Sequence, residues 1–436
     1  MTASAASPRG STGPAQPETI FTWAGPALKF GVGAVDEIGY DVAALGTNRV
    51  LVLTDPGVAA TGVPQRVLDS LRASGLVAEL FTGVHVEPTD ASVRAAVDFA
   101  MGGGWDGFVA VGGGSAIDTA KAVNLMTTYP ADLVEYLNPP IGEGKPPAGP
   151  VKPLIAVPTT AGTGAESTAV CVMDLLDLRV KTGISHPRLR PVLAVVDPSV
   201  TLTLPPGVTA ATGFDILCHA LESYTARPYT AYEKRRPEQR VAYCGANPVS
   251  DIWIQQTLPL LARSFRTAYH HGDDLAARTD MLRAATFAGL GFGNAGVHIP
   301  HACAYPIAGQ VRDFRPADYP DHVPLVPHGM AVVLTAPAAF RHTFAADPDR
   351  HLWAAHVLDP ATDAVRDERE RLPEAVRRLM RDLAIPNGLM GVGYSGADLD
   401  TLVDGALKQQ RLLSIAPVDV DADLLATVLR ESLTVW

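Results

Sequence analysis

Between residues 48 and 198, short runs of Val, Leu and Ala alternate with stretches of helical periodicity, and this alternation restricts the fold more than any other feature. The runs "NRVLVLTD" (48–55), "VAELFTGV" (77–84), "DGFVAVGGG" (106–114), "PLIAVPTT" (153–160) and "PVLAVVDP" (191–198) predict strands. Between the early ones, "PQRVLDSLRASG" (64–75) and "PTDASVRAAVDFAMGGG" (88–104) repeat apolar residues at helical spacing and end in glycine. Such alternation predicts a parallel sheet covered by helices on both faces. After about residue 205 the character changes. "DIWIQQTLPLLARSFRTAY" (251–269), "ARTDMLRAATFAGLGFG" (277–293) and "PEAVRRLMRDLA" (373–384) follow helical periodicity, and no convincing strand appears. The two prolines of "TLTLPPGVT" (201–209) suit a connector. The expected organisation is a disordered tail over 1–19, an α/β domain over 20–205 and an all-helical domain over 206–436. No internal repeat is visible.

A chain of 436 residues, 47% hydrophobic and 19% charged, can bury more than one large core. Its net charge of −11 argues against a nucleic-acid surface, because phosphate binding needs a basic face. Cys171, Cys218, Cys244 and Cys303 lie far apart without CxxC pairing, which points to a reduced, cytoplasmic protein. The opening "MTASAASPRGSTGPAQPET" fits neither a secretory signal nor a strong organelle-import helix. No apolar run reaches membrane-spanning length; the longest candidate, "MAVVLTAPAAF" (330–340), is interrupted by Thr335 and Pro337.

"FVAVGGGSAIDTAKAVNL" (108–125) reads as a strand, three glycines and a helix. Ser115 at the N-cap with Asp118 three residues on would make a capping box. Gly112, Gly113 and Gly114 clear side chains from the turn, so that backbone N–H groups and the positive helix end can meet a phosphate. The pattern is neither GxGxxG nor a Walker loop, and a tight, well-capped turn would look the same. "VPTTAGTGAES" (157–167) follows another buried strand, and two such loops at carboxyl ends of parallel strands face one crevice. Asp55 at the end of "LVLTD" is either an acceptor for an adenosine ribose, which would favour NAD over NADP, or a turn residue before Pro56.

"GFDILCHALESY" (213–224) sets Asp215 and His219 four apart, on one face of an apolar helix. "GVHIPHACAYPIAG" (296–309) holds His298 and His301, and "PLVPHGMAV" (324–332) holds His328. His270, His271, His342, His351 and His356 instead lie among arginines, acids and other surface-like residues. A buried carboxylate and imidazoles cost several kcal/mol unless compensated, and a bound cation would compensate them. Three imidazoles and one carboxylate suit Fe²⁺ or Zn²⁺ with one position open to a substrate oxygen. A hydrogen-bonded core histidine is the bland reading of any one of these positions.

Taken in order, "GGGSAIDTAK", "PTTAGTGAE", "GFDILCHALESY" and "VPHGM" resemble the iron-containing (group III) alcohol dehydrogenases from about residue 20 to the C-terminus. Within that family "VEPTD" (86–90), "ANPVSDIW" (246–253), "GFGNAGVHIPHACAYPIAG" (291–309) and "PLVPHGMAVVLTAPAAF" (324–340) look most like a branch that passes hydride from a hydroxy acid to an oxo acid. The resemblance implies a dinucleotide-binding N-terminal domain, a helical C-terminal domain and a divalent metal between them. It implies Asp215, His219, His301 and His328 as metal ligands, and His298 as a residue beside them. It places Gly112, Gly113, Gly114 and Ser115 at the pyrophosphate of NAD, Thr159, Thr160 and Thr163 near the cofactor, and Lys181 at its ribose. A solvated charge between strands is the plain alternative for Lys181.

Many alcohol-oxidising members carry a histidine four residues after the third ligand, where this chain has Tyr305. A phenol, with a pKa near about 10, is a poorer base at neutral pH than imidazole. The resemblance implies 4-hydroxybutyrate as donor, 2-oxoglutarate as acceptor and a homodimer or larger assembly. Both acids are anions, so one arginine of "ARPYTAYEKRRPEQR" (226–240) is the expected partner, from a stretch that holds Arg227, Lys234, Arg235, Arg236 and Arg240. An NAD-dependent dehydrogenase that releases its cofactor is the nearest alternative, and a dehydroquinate-synthase-like lyase is a more distant one. A non-catalytic binding protein would leave the apolar Asp/His set without a purpose.

Overall fold

The computed structural model describes residues 16–178, 180–319 and 324–436. Its strands are β1 (Ala27–Phe30), β2 (Arg49–Leu53), β3 (Val77–Phe81), β4 (Gly107–Gly112), β5 (Leu154–Pro158), β6 (Val170–Leu175), β7 (Val180–Ser185) and β8 (Leu193–Val196). Six of them form a parallel sheet in the order β1-β8-β5-β4-β2-β3. Strands β6 and β7 pair with each other as an antiparallel hairpin.

The central strands read as continuous apolar runs because both faces of the sheet are covered. Val50, Val52, Val109, Val111, Ile155 and Val157 point into one core, together with Val67 and Leu71 of helix α1 (Val63–Ala73). Their neighbours Leu51, Leu53, Phe108, Ala110 and Leu154 point into the other core. There they meet Val93 of helix α2 (Asp90–Met101) and Ile117 of helix α3 (Gly114–Thr128). The alternation of side chains along a strand makes this division.

The five expected strands are therefore present, and three further ones join them. Strand β1 has four half-exposed residues at the sheet edge, too short and too wet to carry a pattern. The hairpin strands are interrupted by Asp174 and Lys181, charges that face each other across the pair, with Glu87 from outside the hairpin as a second partner of Lys181. The chain runs outward from β2 to β3, returns to β4 and continues through β5 to β8. The order thus reverses between β2 and β4, and the crevice beyond their carboxyl ends is where open α/β sheets take ligands.

Among the described residues no strand follows Val196. The helices that follow include α4 (Pro206–Tyr224), α5 (Pro248–His270), α6 (Leu275–Ala295), α7 (Ile299–Gly309) and α8 (His328–Val333). Between Thr209 and Tyr224, every residue of α4 except Thr212 is buried, so this helix runs through the middle of its layer. The apolar run at 330–340 breaks after α8 and resumes as a separate helix, Ala336–Thr343. No helix of the described residues is long and apolar enough to cross a membrane.

The expected tail lies, over residues 1–15, outside the described residues. Its end is seated on the helical layer: Pro17 bridges to Glu233, and the buried Glu18 carboxylate accepts from Arg240 Nη1 at 2.9 Å and from the Arg235 N–H at 3.0 Å.

Candidate active site where the sheet meets the helices

The four-residue spacing on α4 puts Asp215 and His219 on one face, with His219 Nε2 3.6 Å from Asp215 Oδ1. His301, in the first turn of α7, brings its Nε2 to 3.5 Å from the same oxygen, and His328, the first residue of α8, to 3.8 Å. Gly329 lets α8 come this close: a Cβ there would sit 2.0 Å from the Ala211 carbonyl oxygen and 2.7 Å from Asp215 Cβ. Asp215, His219 and His301 are buried, while the His328 side chain, 28% exposed, opens on a cleft. The His219 ring lies flat on Phe292 with centroids 3.7 Å apart.

Asp215 Oδ1, His219 Nδ1 and His301 Nε2 are buried without a hydrogen-bond partner. One ligand atom each of Asp215, His219 and His301 falls within a 4.8 Å cluster. A tetrahedral ion with bonds of about 2.1 Å needs its donors about 3.4 Å apart, close to the spacing found here. The donor set suits Fe²⁺ and Zn²⁺ alike. Burial pushes the His219 imidazole down to about 3, so it is a neutral donor at physiological pH. Burial alone would raise the Asp215 carboxyl, but the surrounding imidazoles hold it well below the usual carboxylate range.

Glu222 completes the α4 face and was not among the expected residues. Its side chain is wholly buried, and Oε1 accepts from His301 Nδ1 at 2.6 Å. Its other oxygen accepts the His298 N–H at 2.6 Å and the His301 N–H at 3.4 Å. Burial works against a charged His301, yet Glu222 and Asp215 raise its imidazole to about 9. The signal was in the sequence: Asp215, His219 and Glu222 follow the i, i+4, i+7 repeat of one helix stripe.

His298 is not brought to the cleft. Its ring is fully buried, with Nδ1 accepting the Ile299 N–H and Nε2 3.2 Å from Thr225 Oγ1, so it shapes the entry into α7. His351, expected at the surface, is also buried, between Thr343 Oγ1 and the Asp347 carbonyl. Helix periodicity turns it inward even though its sequence neighbours are charged.

The two small-residue loops meet as expected. A Cβ on Gly113 would sit 3.0 Å from Thr160 Oγ1, and one on Gly114 2.8 Å from Thr163 Cγ2. A Cβ on Gly112 would sit 2.6 Å from that of Ala116 and 3.6 Å from Asp55 Oδ2. Any side chain in the turn would therefore fill the space before the helix. The Thr159 N–H donates to the Gly112 carbonyl at 3.1 Å, tying the loops together. Asp55 caps the short helix Pro56–Ala59 by accepting from the Val58 N–H, while its other oxygen faces the glycine turn. The expected capping box is absent. Gly113 is the N-cap of α3, Ser115 Oγ accepts the Glu87 N–H, and Asp118 accepts from Val172 N–H at 2.9 Å and Lys121 Nζ at 3.2 Å.

One cleft joins this turn to the imidazoles; Gly114, Ser115, Thr163, His219, His301 and His328 line it. Lys181 also faces it and is not solvated: it is buried against Glu87 and lies 3.6 Å from Asp174. Tyr305 stands edge-on to His328 with centroids 6.4 Å apart, and burial raises its phenol further above the neutral range. The basic segment 226–240 does not reach the cleft. Arg227 pairs with Asp419, Arg236 with Glu238 and Arg240 with Glu18, and Arg235 lies over the Tyr232 ring. Arg411, which sequence reasoning passed over, lines the cleft instead.

Comparison with known proteins bears on this geometry. The 435-residue match to the mitochondrial hydroxyacid-oxoacid transhydrogenase of Bos taurus is 43% identical and covers 99% of this chain and 92% of the relative. The human protein of that name is 42% identical over the same shares, and that of Xenopus laevis 44% identical over 95% and 91%. Among solved structures, a 1,3-propanediol oxidoreductase superposes with a TM-score of 0.83 at 29% identity, covering 95% of this chain and all of that one. A sulfoacetaldehyde reductase from Bifidobacterium kashiwanohense, in complex with NAD+, gives 0.78 at 25%, covering 95% and 99%.

The cytoplasmic expectation is overturned by these relatives, all three of which are mitochondrial. The four free thiols speak for a reducing environment, and that does not choose between compartments. The family model "Iron-containing alcohol dehydrogenase" matches residues 26–198, and "Fe-containing alcohol dehydrogenase family, C-terminal" matches 209–433. The two matches follow one another along nearly the whole chain, and the chain belongs to the iron-containing alcohol dehydrogenase family of oxidoreductases.

Proposed function

We propose that this chain is a metal-dependent, NAD(H)-linked transhydrogenase that moves hydride from 4-hydroxybutyrate, or a similar hydroxy acid, to 2-oxoglutarate. The observation that carries the reading is one cleft shared by the glycine turn and the imidazoles around Asp215. The names of the relatives support the substrate classes. The reductase solved with NAD+ supports the cofactor, and a carboxylate at Asp55 beside the turn disfavours a 2′-phosphate.

Asp215, His219, His301 and His328 would hold the ion, and Gly112 to Ser115 with Thr160 and Thr163 the dinucleotide. When bound, the ion supplies Lewis acidity at the substrate oxygen and the nicotinamide a hydride carrier. The chain's own residues position and shield. Phe292 backs His219 and keeps water from that side of the cluster. Glu222 keeps the His301 ring aimed at the cluster. Tyr305 stays protonated at neutral pH, so it offers a hydrogen bond rather than a base. Overall the hydroxy acid loses a hydride and a proton to become succinate semialdehyde. The oxo acid gains both to become 2-hydroxyglutarate, so no external oxidant is required.

The test uses purified, metal-loaded protein with both acids and no added nucleotide. Equal amounts of succinate semialdehyde and 2-hydroxyglutarate are expected. Product that appears only after NAD+ is added, with NADH accumulating and no response to oxo acid, would instead establish a dehydrogenase that exchanges its cofactor.

A further inference from the structure

Among the described residues, two side-chain cations, Lys181 and Arg411, line the cleft, and they differ in one respect. Lys181 is already neutralised by Glu87 and Asp174. Arg411, at the second residue of the short helix Gln410–Leu413, has no ion-pair partner among the described residues. Its neighbours are phenols: Cζ lies 4.9 Å from the centroid of the Tyr243 ring, and Tyr305 adjoins it. A half-buried guanidinium with no carboxylate beside it keeps a full positive charge that an anionic ligand can meet. Tyr243 supports the guanidinium plane by cation–π contact, and the Tyr243 and Tyr305 hydroxyls within its reach are neutral, so the charge is left for a planar, two-oxygen acceptor. The unmet charge thus lies on the Tyr305 side of the cleft, and Tyr305 in turn stands against the ligand ring His328.

We propose that Arg411 anchors the terminal carboxylate of both substrates and thereby selects for chain length. The proposal rests on the transhydrogenase reading for the identity of the acids. In 4-hydroxybutyrate the carboxylate carbon is three bonds from the carbon that gives up hydride. In 2-oxoglutarate the distal carboxylate carbon is three bonds from the carbon that receives it. One fixed anchor therefore presents both reacting carbons at the same place, which a shared hydride carrier requires. The second carboxylate of the oxo acid, next to its reacting carbon, falls toward the imidazoles. Unbranched hydroxy acids with one methylene more or fewer put the hydroxyl out of register.

Arg411→Gln and Arg411→Lys are compared with the unaltered full chain, all loaded with metal and NAD+ and supplied with one fixed concentration of 2-oxoglutarate to take up the hydride. The readout is the ratio of kcat/KM for 4-hydroxybutyrate to that for uncharged 1-butanol. The ratio is expected to fall roughly 100-fold in Arg411→Gln, with KM carrying most of the change, and less in Arg411→Lys. Preference for the four-carbon acid over 3-hydroxypropanoate and 5-hydroxypentanoate should flatten in both. A ratio that stays constant while both rates fall together would make Arg411 a structural residue and overturn the proposal. Calorimetric titration with butanoate, an unreactive acid of the same length, separates this claim from the functional one. If the unaltered chain binds butanoate and Arg411→Gln does not, the anchor stands even where no transhydrogenation is seen. Equal binding by both proteins refutes it.

Discussion

Asp215→Ala protein is expected to purify without a stoichiometric divalent ion and to turn over at least about 10³-fold more slowly than the unaltered chain. Each tenfold in rate is about 1.4 kcal/mol of barrier, and a Lewis acid at a reacting oxygen supplies several kcal/mol. Asp215 Oδ1 is the atom that all three imidazoles approach, within 3.5 to 3.8 Å, so its loss removes the single negative charge at the centre of the cluster. Stability provides an independent readout. An ion that binds only the folded chain stabilises it by mass action, about 2.7 kcal/mol at a hundredfold excess over Kd. Chelator should therefore lower the Tm of the unaltered chain and leave that of Asp215→Ala in place. A full ion complement in the variant, or a Tm that ignores chelator in both, would contradict the assignment.

The second large effect is expected at Glu222. It makes no contact with the cleft, yet it holds the His301 ring through Nδ1 at 2.6 Å and caps the entry to α7 through the His298 N–H. Glu222→Gln keeps the shape and one acceptor but loses the charge. Partners of this kind contribute about 10- to 100-fold to metal affinity, so competition with a chelator of known affinity should show a weakening in that range. Glu222→Leu should be worse, because it leaves buried N–H groups unpaired at a cost of about 1–3 kcal/mol each. Metal affinity equal to that of the unaltered chain in Glu222→Gln would mean that packing alone orients His301.

Much of this was legible along the chain. The apolar runs of β2, β4, β5 and β8 declare a sheet buried on both faces, and the glycine turn declares its ligand-binding end. Asp215, His219, His301 and His328 stand out because polar groups in apolar stretches call for a partner. The failures have a common cause in tertiary competition. Ser115 and Asp118 have the spacing of a capping box, but the Glu87 N–H and the β6 strand with Lys121 claim those side chains. Arg227, Arg236 and Arg240 of 226–240 pair with acids and Arg235 lies over an aromatic ring, so their concentration in sequence carries no information about the cleft. Arg411 sits in "LKQQRLLS", which reads as an ordinary exposed helix end, and nothing local reveals that the segment folds over Tyr243 and Tyr305. The four cysteines speak for a reducing setting, which several compartments share.

The central claim is that one divalent ion is held by a carboxylate and three imidazoles at the mouth of the dinucleotide crevice. Its most direct measurement is an anomalous-difference map from crystals of the metal-loaded chain, recorded at the absorption edge of the ion. The account predicts a single strong peak about 2.1 Å from donor atoms of Asp215, His219, His301 and His328. A peak elsewhere, or one that touches fewer than three of these side chains, would contradict it.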